Sequence, residues 1–137
     1  MSVVGVVRAT ERPVQRRGPP WPPLQKLVNY ETGATELAVW INDVGVGDEV
    51  RLHRHDCEEV IFVAAGQLRA TLEGEAFDLA RGDALFVPTE AVHGFRNPGP
   101  APATVVASLG KADAQTFWED ERDLTGLHLD QGGRSLA

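Results

Sequence analysis

The stretch Gly47-Asp48-Glu49-Val50-Arg51-Leu52-His53-Arg54-His55-Asp56-Cys57-Glu58-Glu59 decides how this chain is read. Val50 to His55 reads as a strand entered through a Gly-Asp turn. Alternate residues of a strand share a face, so His53 and His55 point the same way. Two imidazoles on one face can serve one metal ion. Glu59 opens the next strand and can supply a carboxylate as a third ligand. His93, on the strand that follows Pro88, can close the set from the opposite side. Three imidazoles and one carboxylate suit Fe(II), Mn(II), Ni(II), Zn(II) or Cu(II), not Ca(II) or Mg(II). Four protein ligands leave two positions open on an octahedral ion. A chelating substrate, or a substrate beside dioxygen, can fill them.

Outward from this stretch the pattern continues. Short segments rich in Val, Ile, Phe, Leu and Trp predict strands near 37–43, 50–55, 59–64, 67–73, 76–80, 84–88, 92–96 and 103–109. Many short strands separated by Gly, Asp and Pro argue an all-β sandwich or barrel. Three regions follow: an extended arm over residues 1–35, a barrel over 36–110 and a tail over 111–137. The arm holds five of the nine prolines, at Pro13, Pro19, Pro20, Pro22 and Pro23. Proline fixes φ and removes a donor, so the arm is neither helix nor central strand. It is expected to cross the body or a partner subunit. Ala112 to Arg122 has helix formers and neither Gly nor Pro, which predicts a short C-terminal helix capped by Asp113. Gly132 to Ala137 reads as a frayed end.

Composition narrows the function. The 137 residues carry a net charge of −7 and one cysteine. That length fits one domain with a sizeable core. One cysteine makes no internal disulfide, so a cytoplasmic location is expected. Residues 1–30 carry a net +4 and the remainder −11. An acidic body with scattered arginines is a poor nucleic-acid binder. No apolar run is long enough to span a membrane, and no secretory signal is seen.

The glycines, proline and ligand candidates fall into two patterns. Gly47, His53, His55, Glu59 and Gly66 fit G-x5-H-x-H-x3-E-x6-G. Gly82, Pro88, His93 and Asn97 fit G-x5-P-x-G-x2-H-x3-N, with Glu90 standing at the position of the second glycine. The chain thereby resembles the cupin superfamily across roughly residues 36–110. The resemblance implies a double-stranded β-helix (jelly-roll) barrel, with His53, His55, Glu59 and His93 as metal ligands in its interior. It says little about the reaction, because cupins include dioxygenases, isomerases, decarboxylases, lyases, cyclases and binding modules.

Strand parity suggests a pocket. Arg51, two before His53, and Phe95, two after His93, should face inward. Ile61 shares parity with Glu59, and Trp40 is a candidate wall. An inward arginine near a metal would pair with a carboxylate or enolate. The alternative places Arg51 at the barrel mouth, paired with Asp48, Glu49 or Glu90. Cys57 reads as a small buried apolar side chain or a turn thiol, with a redox or ligand role as the sharper alternative. No catalytic acid or base is evident, and His128 reads as solvated. The function expected is a metal-dependent enzyme acting on a small anionic or chelating molecule, with a lean to a non-haem Fe(II) dioxygenase. A non-redox isomerase, lyase, decarboxylase or polyketide-type cyclase is the alternative, and a small-molecule binding module is the third. A homodimer is expected, because unpaired sheet edges are a liability that pairing relieves.

Overall fold

The computed structural model describes residues 5–119. All eight expected strands form, within a residue or two, where apolar stretches meet turn residues. Two more precede and follow them. In chain order they are β1 (Leu24–Val28), β2 (Ala38–Val44), β3 (Glu49–His55), β4 (Glu59–Ala65), β5 (Gln67–Leu72), β6 (Glu75–Ala80), β7 (Ala84–Val87), β8 (His93–Arg96), β9 (Ala103–Leu109) and β10 (Thr116–Trp118). They make two antiparallel five-stranded sheets, β1-β2-β9-β4-β7 and β10-β3-β8-β5-β6. The sheets face each other as a jelly roll and are not closed.

Between the sheets lies an apolar plug of Val44, Ile61, Val63, Leu68, Ala70, Val87 and Val105. Every one is at most 1% exposed. Alternation produces it, since β4 reads buried-exposed-buried-exposed-buried from Glu59 to Val63. Gly66 turns β4 into β5 at φ +77, and a Cβ there would lie 2.5 Å from the Pro102 carbonyl oxygen. Only glycine meets both demands. Asn97 ties the far loop to the body. Its Nδ2 donates to the carbonyls of Val44 and Ala101, and its Oδ1 accepts from the Gly99 amide.

The arm lies on the chain's own body. Its residues 24–28 add β1 as an edge strand to β2, where the neighbouring prolines cost no ladder bonds. Arg12 fixes it by donating to the Lys26 carbonyl, Asn29 Oδ1 and Glu31. The Pro20 carbonyl accepts from the Glu49 amide at 2.7 Å.

The expected C-terminal helix does not form over the described part of 112–122. Residues 112–115 turn, and 116–118 extend as β10. Thr116 and Trp118 are buried while Phe117 between them is half-buried, a period of two. Pairing Thr116 with His55 and Trp118 with His53 gives this segment ladder bonds and buries an indole. Tertiary burial outweighs the weak helix preference of the stretch. Residues 120–122 and His128 lie outside the described residues.

Candidate metal centre and its cleft

His53 and His55 stand near the end of β3, Glu59 opens β4 and His93 opens β8. All four are buried, at 5, 2, 5 and 0% exposure. One ligand atom from each lies within 4.8 Å of the others. The imidazole centroids are 4.2 Å apart for His53–His93, 4.8 Å for His53–His55 and 5.3 Å for His55–His93.

The three rings are held alike. His53 Nδ1 meets the Arg51 carbonyl at 2.7 Å, His55 Nδ1 the Gln115 carbonyl at 2.9 Å and His93 Nδ1 the Ala91 carbonyl at 2.9 Å. A carbonyl oxygen only accepts, so each Nδ1 is the N–H donor. In the neutral ring Nε2 then carries a lone pair, and it is Nε2 of His93 and His55 that face Glu59 Oε1, at 2.8 and 3.3 Å. Lone pairs facing a carboxylate repel unless a proton or cation lies between them. Backbone-fixed Nδ1 with Nε2 turned inward is the arrangement found around metal-bound histidines. The residues present therefore fit a divalent transition metal.

The electrostatics agree. Burial, and then the neighbouring His93 and His55, push the His53 imidazolium well below its ordinary pKa, so this ring is neutral. Burial alone would lower His55 too, but the hydrogen bond and charge of Glu59 raise it overall. Burial would raise the Glu59 carboxyl, but His55 and His93 outweigh it and hold it well below the usual carboxylate range. Glu59 is thus a carboxylate at any physiological pH.

His53, His55 and Glu59 line a cleft between the sheets, and His93, fully buried, completes the cluster behind them. Phe95, placed inward by parity, and Trp40, the candidate wall, are among the residues that line it. Ile61 does not. It belongs to the plug below. Arg51 does not line it either, and borders a neighbouring depression with Glu49, Leu52 and Arg69. The reason is a bulge. Val50 pairs with Phe95 and His53 with His93, so three steps on β3 match two on β8. The extra residue reverses parity, and Val50 takes the inward place. Gly94 permits this, because a Cβ there would lie 2.7 Å from the Val50 carbonyl oxygen. A glycine inside an expected strand is the signal that marks such a bulge. The guanidinium of Arg51 lies 6.0 Å from the Trp21 ring.

The rest of the lining comes from residues that strand parity does not reach. Arg17, Trp21 and Leu24 arrive from the arm, Thr116 and Trp118 from β10. Trp118 lies 5.1 Å from His53 with the rings tilted, and Trp40 meets His55 edge-on at 5.6 Å. The indole N–H groups of Trp40 and Trp118 are buried with no hydrogen-bond partner among the described residues. Cys57 is buried with Leu24, Ala38 and Trp40, and burial pushes its thiol up. It packs as an apolar side chain. Asp56 has a structural part. Its carboxylate accepts from the Gln115 amide at 2.9 Å and from Lys111, and so holds the segment whose carbonyl orients His55. Glu90 adopts φ +68, the left-handed conformation that a glycine takes without strain, and its carboxylate bridges to Arg54 at 2.9 Å.

Comparison with known proteins agrees with the fold and the motif. The polyketide synthase CurC of Streptomyces cyaneus is 32% identical over 84 residues, covering 61% of this chain and 54% of that protein. The SchB protein of Streptomyces halstedii is 32% identical over 85 residues, covering 61% and 62%. The chain thus matches little more than half the length of these relatives. Among solved structures, the polyketide cyclase RemF from Streptomyces resistomycificus superposes with a TM-score of 0.70 at 18% identity, covering 95% of this chain and 96% of that one. KdgF from Halomonas sp. gives 0.67 at 20% identity, covering 81% and 97%. At such identities the likeness is one of fold. The family model of the cupin domain matches residues 40–109, which span β2 to β9 and all four ligands. This chain belongs to the cupin family.

Proposed function

We propose that this cupin is a metal-dependent enzyme that binds a planar, chelating small molecule and directs a non-redox, cyclase-type reaction on it. The observation that carries the reading is the lining of the cleft. All three tryptophans of the chain, Trp21, Trp40 and Trp118, together with Phe95, surround the space beside the ligands. Flat aromatic walls favour a flat, apolar body. The polyketide names carried by CurC and RemF support the same substrate class.

A divalent ion in the centre supplies Lewis-acid polarisation of a chelated keto–enol pair. The residues of the chain bind the substrate, hold it flat and exclude water from it. Apart from the four ligands, the described lining residues include no group that titrates near neutral pH. Orientation of a reactive chain is then the chief contribution of the protein, and it can be large.

An Fe(II) dioxygenase is the second reading, since the three-histidine, one-carboxylate donor set suits Fe(II) as well as Zn(II). The two separate in one experiment. Protein reconstituted anaerobically with Zn(II) or with Fe(II) is then given, in air-saturated buffer, an aromatic β-diketone of two or three rings that bears a further ketone, onto which an enol carbon can close a ring with loss of water. Ring closure with loss of water and no oxygen uptake supports the cyclase-type reading. Oxygen uptake strictly dependent on Fe(II), with no ring closure, overturns it in favour of the dioxygenase.

The homodimer belongs to the same proposal. Val60, Phe62 and Phe86 are 38, 41 and 52% exposed on the outer face of one sheet, and Val60 pairs with Phe86. Light scattering is expected to give twice the chain mass, and a single-chain mass at all concentrations contradicts it.

A further inference from the structure

We infer that Lys26 and the turn at Asn29 and Tyr30 form a second binding site, for the carboxylate or phosphate group of a small molecule, beside the metal centre. The site includes none of the four metal ligands, and it is independent of the reaction proposed above.

Its position follows from strand register. Lys26 of β1 pairs directly with Trp40 of β2. Cross-strand partners share a face of the sheet, so the lysine stem leaves on the same side as the buried indole. A lysine stem can lie along apolar surface while its ammonium reaches for water or an anion. Here the ammonium lies 4.7 Å from the Trp40 ring centroid, and it makes no hydrogen bond or ion pair among the described residues. The acid whose charge reaches it, Glu31, is already bonded to Arg12 at 3.1 Å. Burial lowers the Lys26 pKa first of all, while Glu31 opposes this and Arg17 adds to it. The ammonium is thus half-buried and short of a counter-ion, a state that a bound anion relieves.

The neighbouring turn brings further donors. Lys26, Asn29 and Tyr30 line one depression. Asn29 is 3% exposed, and its Oδ1 accepts from the Glu31 amide and from Arg12. That leaves Nδ2 as the uncommitted end of the side chain. It makes no hydrogen bond among the described residues and is not sealed in the interior. Tyr30, exposed at the rim, adds a hydroxyl with no other partner among the described residues. An ammonium, an amide NH2 and a phenol are all donors, the complement of an oxyanion. The turn that carries two of them is fixed. The Asn29 amide donates to the Thr32 hydroxyl, and the Tyr30 amide to the Ala112 carbonyl at 3.1 Å. The one acid of the lining, Asp113, is exposed and lies two residues from Lys111.

The site adjoins the metal centre. Trp40 and Thr116 line both the depression and the cleft. Gln115, also on the depression, holds His55 Nδ1 through its carbonyl at 2.9 Å. An anion on Lys26 therefore rests beside the residues that frame one ligand. The basic arm supplies the cation of this hollow, and the lining contributed by the body, Trp40, Asp113 and Gln115, brings none.

The test exploits a feature of the composition. The chain has two lysines, Lys26 and Lys111, so isotopic labelling at lysine Cε gives one NMR signal for each, and Lys111→Arg assigns them. The zinc-loaded full chain is titrated with phosphate, with acetate and with neutral acetamide. Ionic strength is held fixed so that screening stays constant. Phosphate or acetate is expected to shift the Lys26 signal saturably, with a dissociation constant of about 10 mM or tighter. Lys111, exposed and bridged to Asp56, is expected to show no saturable shift. Acetamide is expected to move neither signal. The tighter of the two anions names the head group. Its affinity is expected to fall about two- to tenfold in Tyr30→Phe, the range of one hydrogen bond. No saturable shift at Lys26 with either anion overturns the assignment, and so does an equal shift with acetamide. Undiminished affinity in Tyr30→Phe also overturns it, because the anion then sits elsewhere, the metal included. The titration of the wild type needs no variant, so the inference stays refutable if Tyr30→Phe fails to fold.

Discussion

His53, His55, Glu59 and His93 stand on β3, β4 and β8, inside the segment that matches the cupin domain, whereas Trp21 and Trp118 reach the same cleft from the arm and from β10, outside it. The ligands depend on local spacing, and each ring is locked by a backbone carbonyl. The aromatic wall depends on two flanking segments folding back onto a strand edge. A metal centre built one way and a specificity wall built the other can vary independently. One scaffold can then keep its ion and change its substrate.

The largest effect should come from removing the wall. Trp118→Ala deletes a buried indole that packs on both Trp21 and His53. It is expected to cost about 3–5 kcal/mol in urea unfolding and to abolish binding of the aromatic β-diketone. The zinc stoichiometry should persist, because the four ligands lie elsewhere. Loss of zinc in a folded Trp118→Ala protein would break the separation of ligands from wall.

Gly66→Ala tests the frame common to both. A Cβ at φ +77 that meets the Pro102 carbonyl is expected to destabilise the chain by about 3 kcal/mol, strain and overpacking together. Thermal unfolding checks it, and a variant as stable as wild type would show that the β4–β5 turn relaxes freely.

Asp56→Asn probes a strut between the β10 segment and a ligand. Loss of a charge-assisted bond to the Gln115 amide is expected to cost about 1 kcal/mol, and loosening of the carbonyl behind His55 to weaken zinc binding about tenfold. Burial tends to raise the Asp56 carboxyl, but the Gln115 amide and Lys111 outweigh it and lower it overall. A depressed carboxyl stabilises the fold above its unfolded pKa and loses that contribution as pH falls through the folded value. The stability difference between wild type and Asp56→Asn should therefore be full at neutral pH and vanish in acid. A difference that does not change with pH would remove the strut.

The smallest effect is expected at Glu90. Glu90→Gly relieves a left-handed non-glycine residue, worth about 1 kcal/mol, and loses an exposed ion pair with Arg54 worth less than about 1 kcal/mol. Unfolding should show a gain of a few tenths of a kcal/mol. A clear loss would mean that the Arg54 bridge matters more than the strain.

The legibility of the sequence follows the same division. Eight strands and the four-residue ligand set are readable because period-two alternation and turn glycines are local signals. Arg51 and Val50 exchange places because one bulged residue reverses parity, and its signal, Gly94, lies on the partner strand and not on β3 itself. Ile61 drops into the plug because strand parity sets a side chain's face but not its height along the barrel. Trp118 escapes notice because Ala112 to Trp118 has no helix breaker. Only pairing with β3, a contact between residues more than sixty apart, makes it a strand. The arm is readable as extended but not as a wall, since nothing local in Arg17 or Trp21 names the surface they cover.

The central claim is that His53, His55, Glu59 and His93 form one metal centre, and metal analysis tests it most directly. Elemental analysis of protein purified anaerobically and loaded with a single divalent transition metal should find one ion per chain. Under the same loading, folded His93→Ala and Glu59→Gln variants should retain almost none. Full occupancy in either variant, or no tightly held ion in the wild type, would contradict the account.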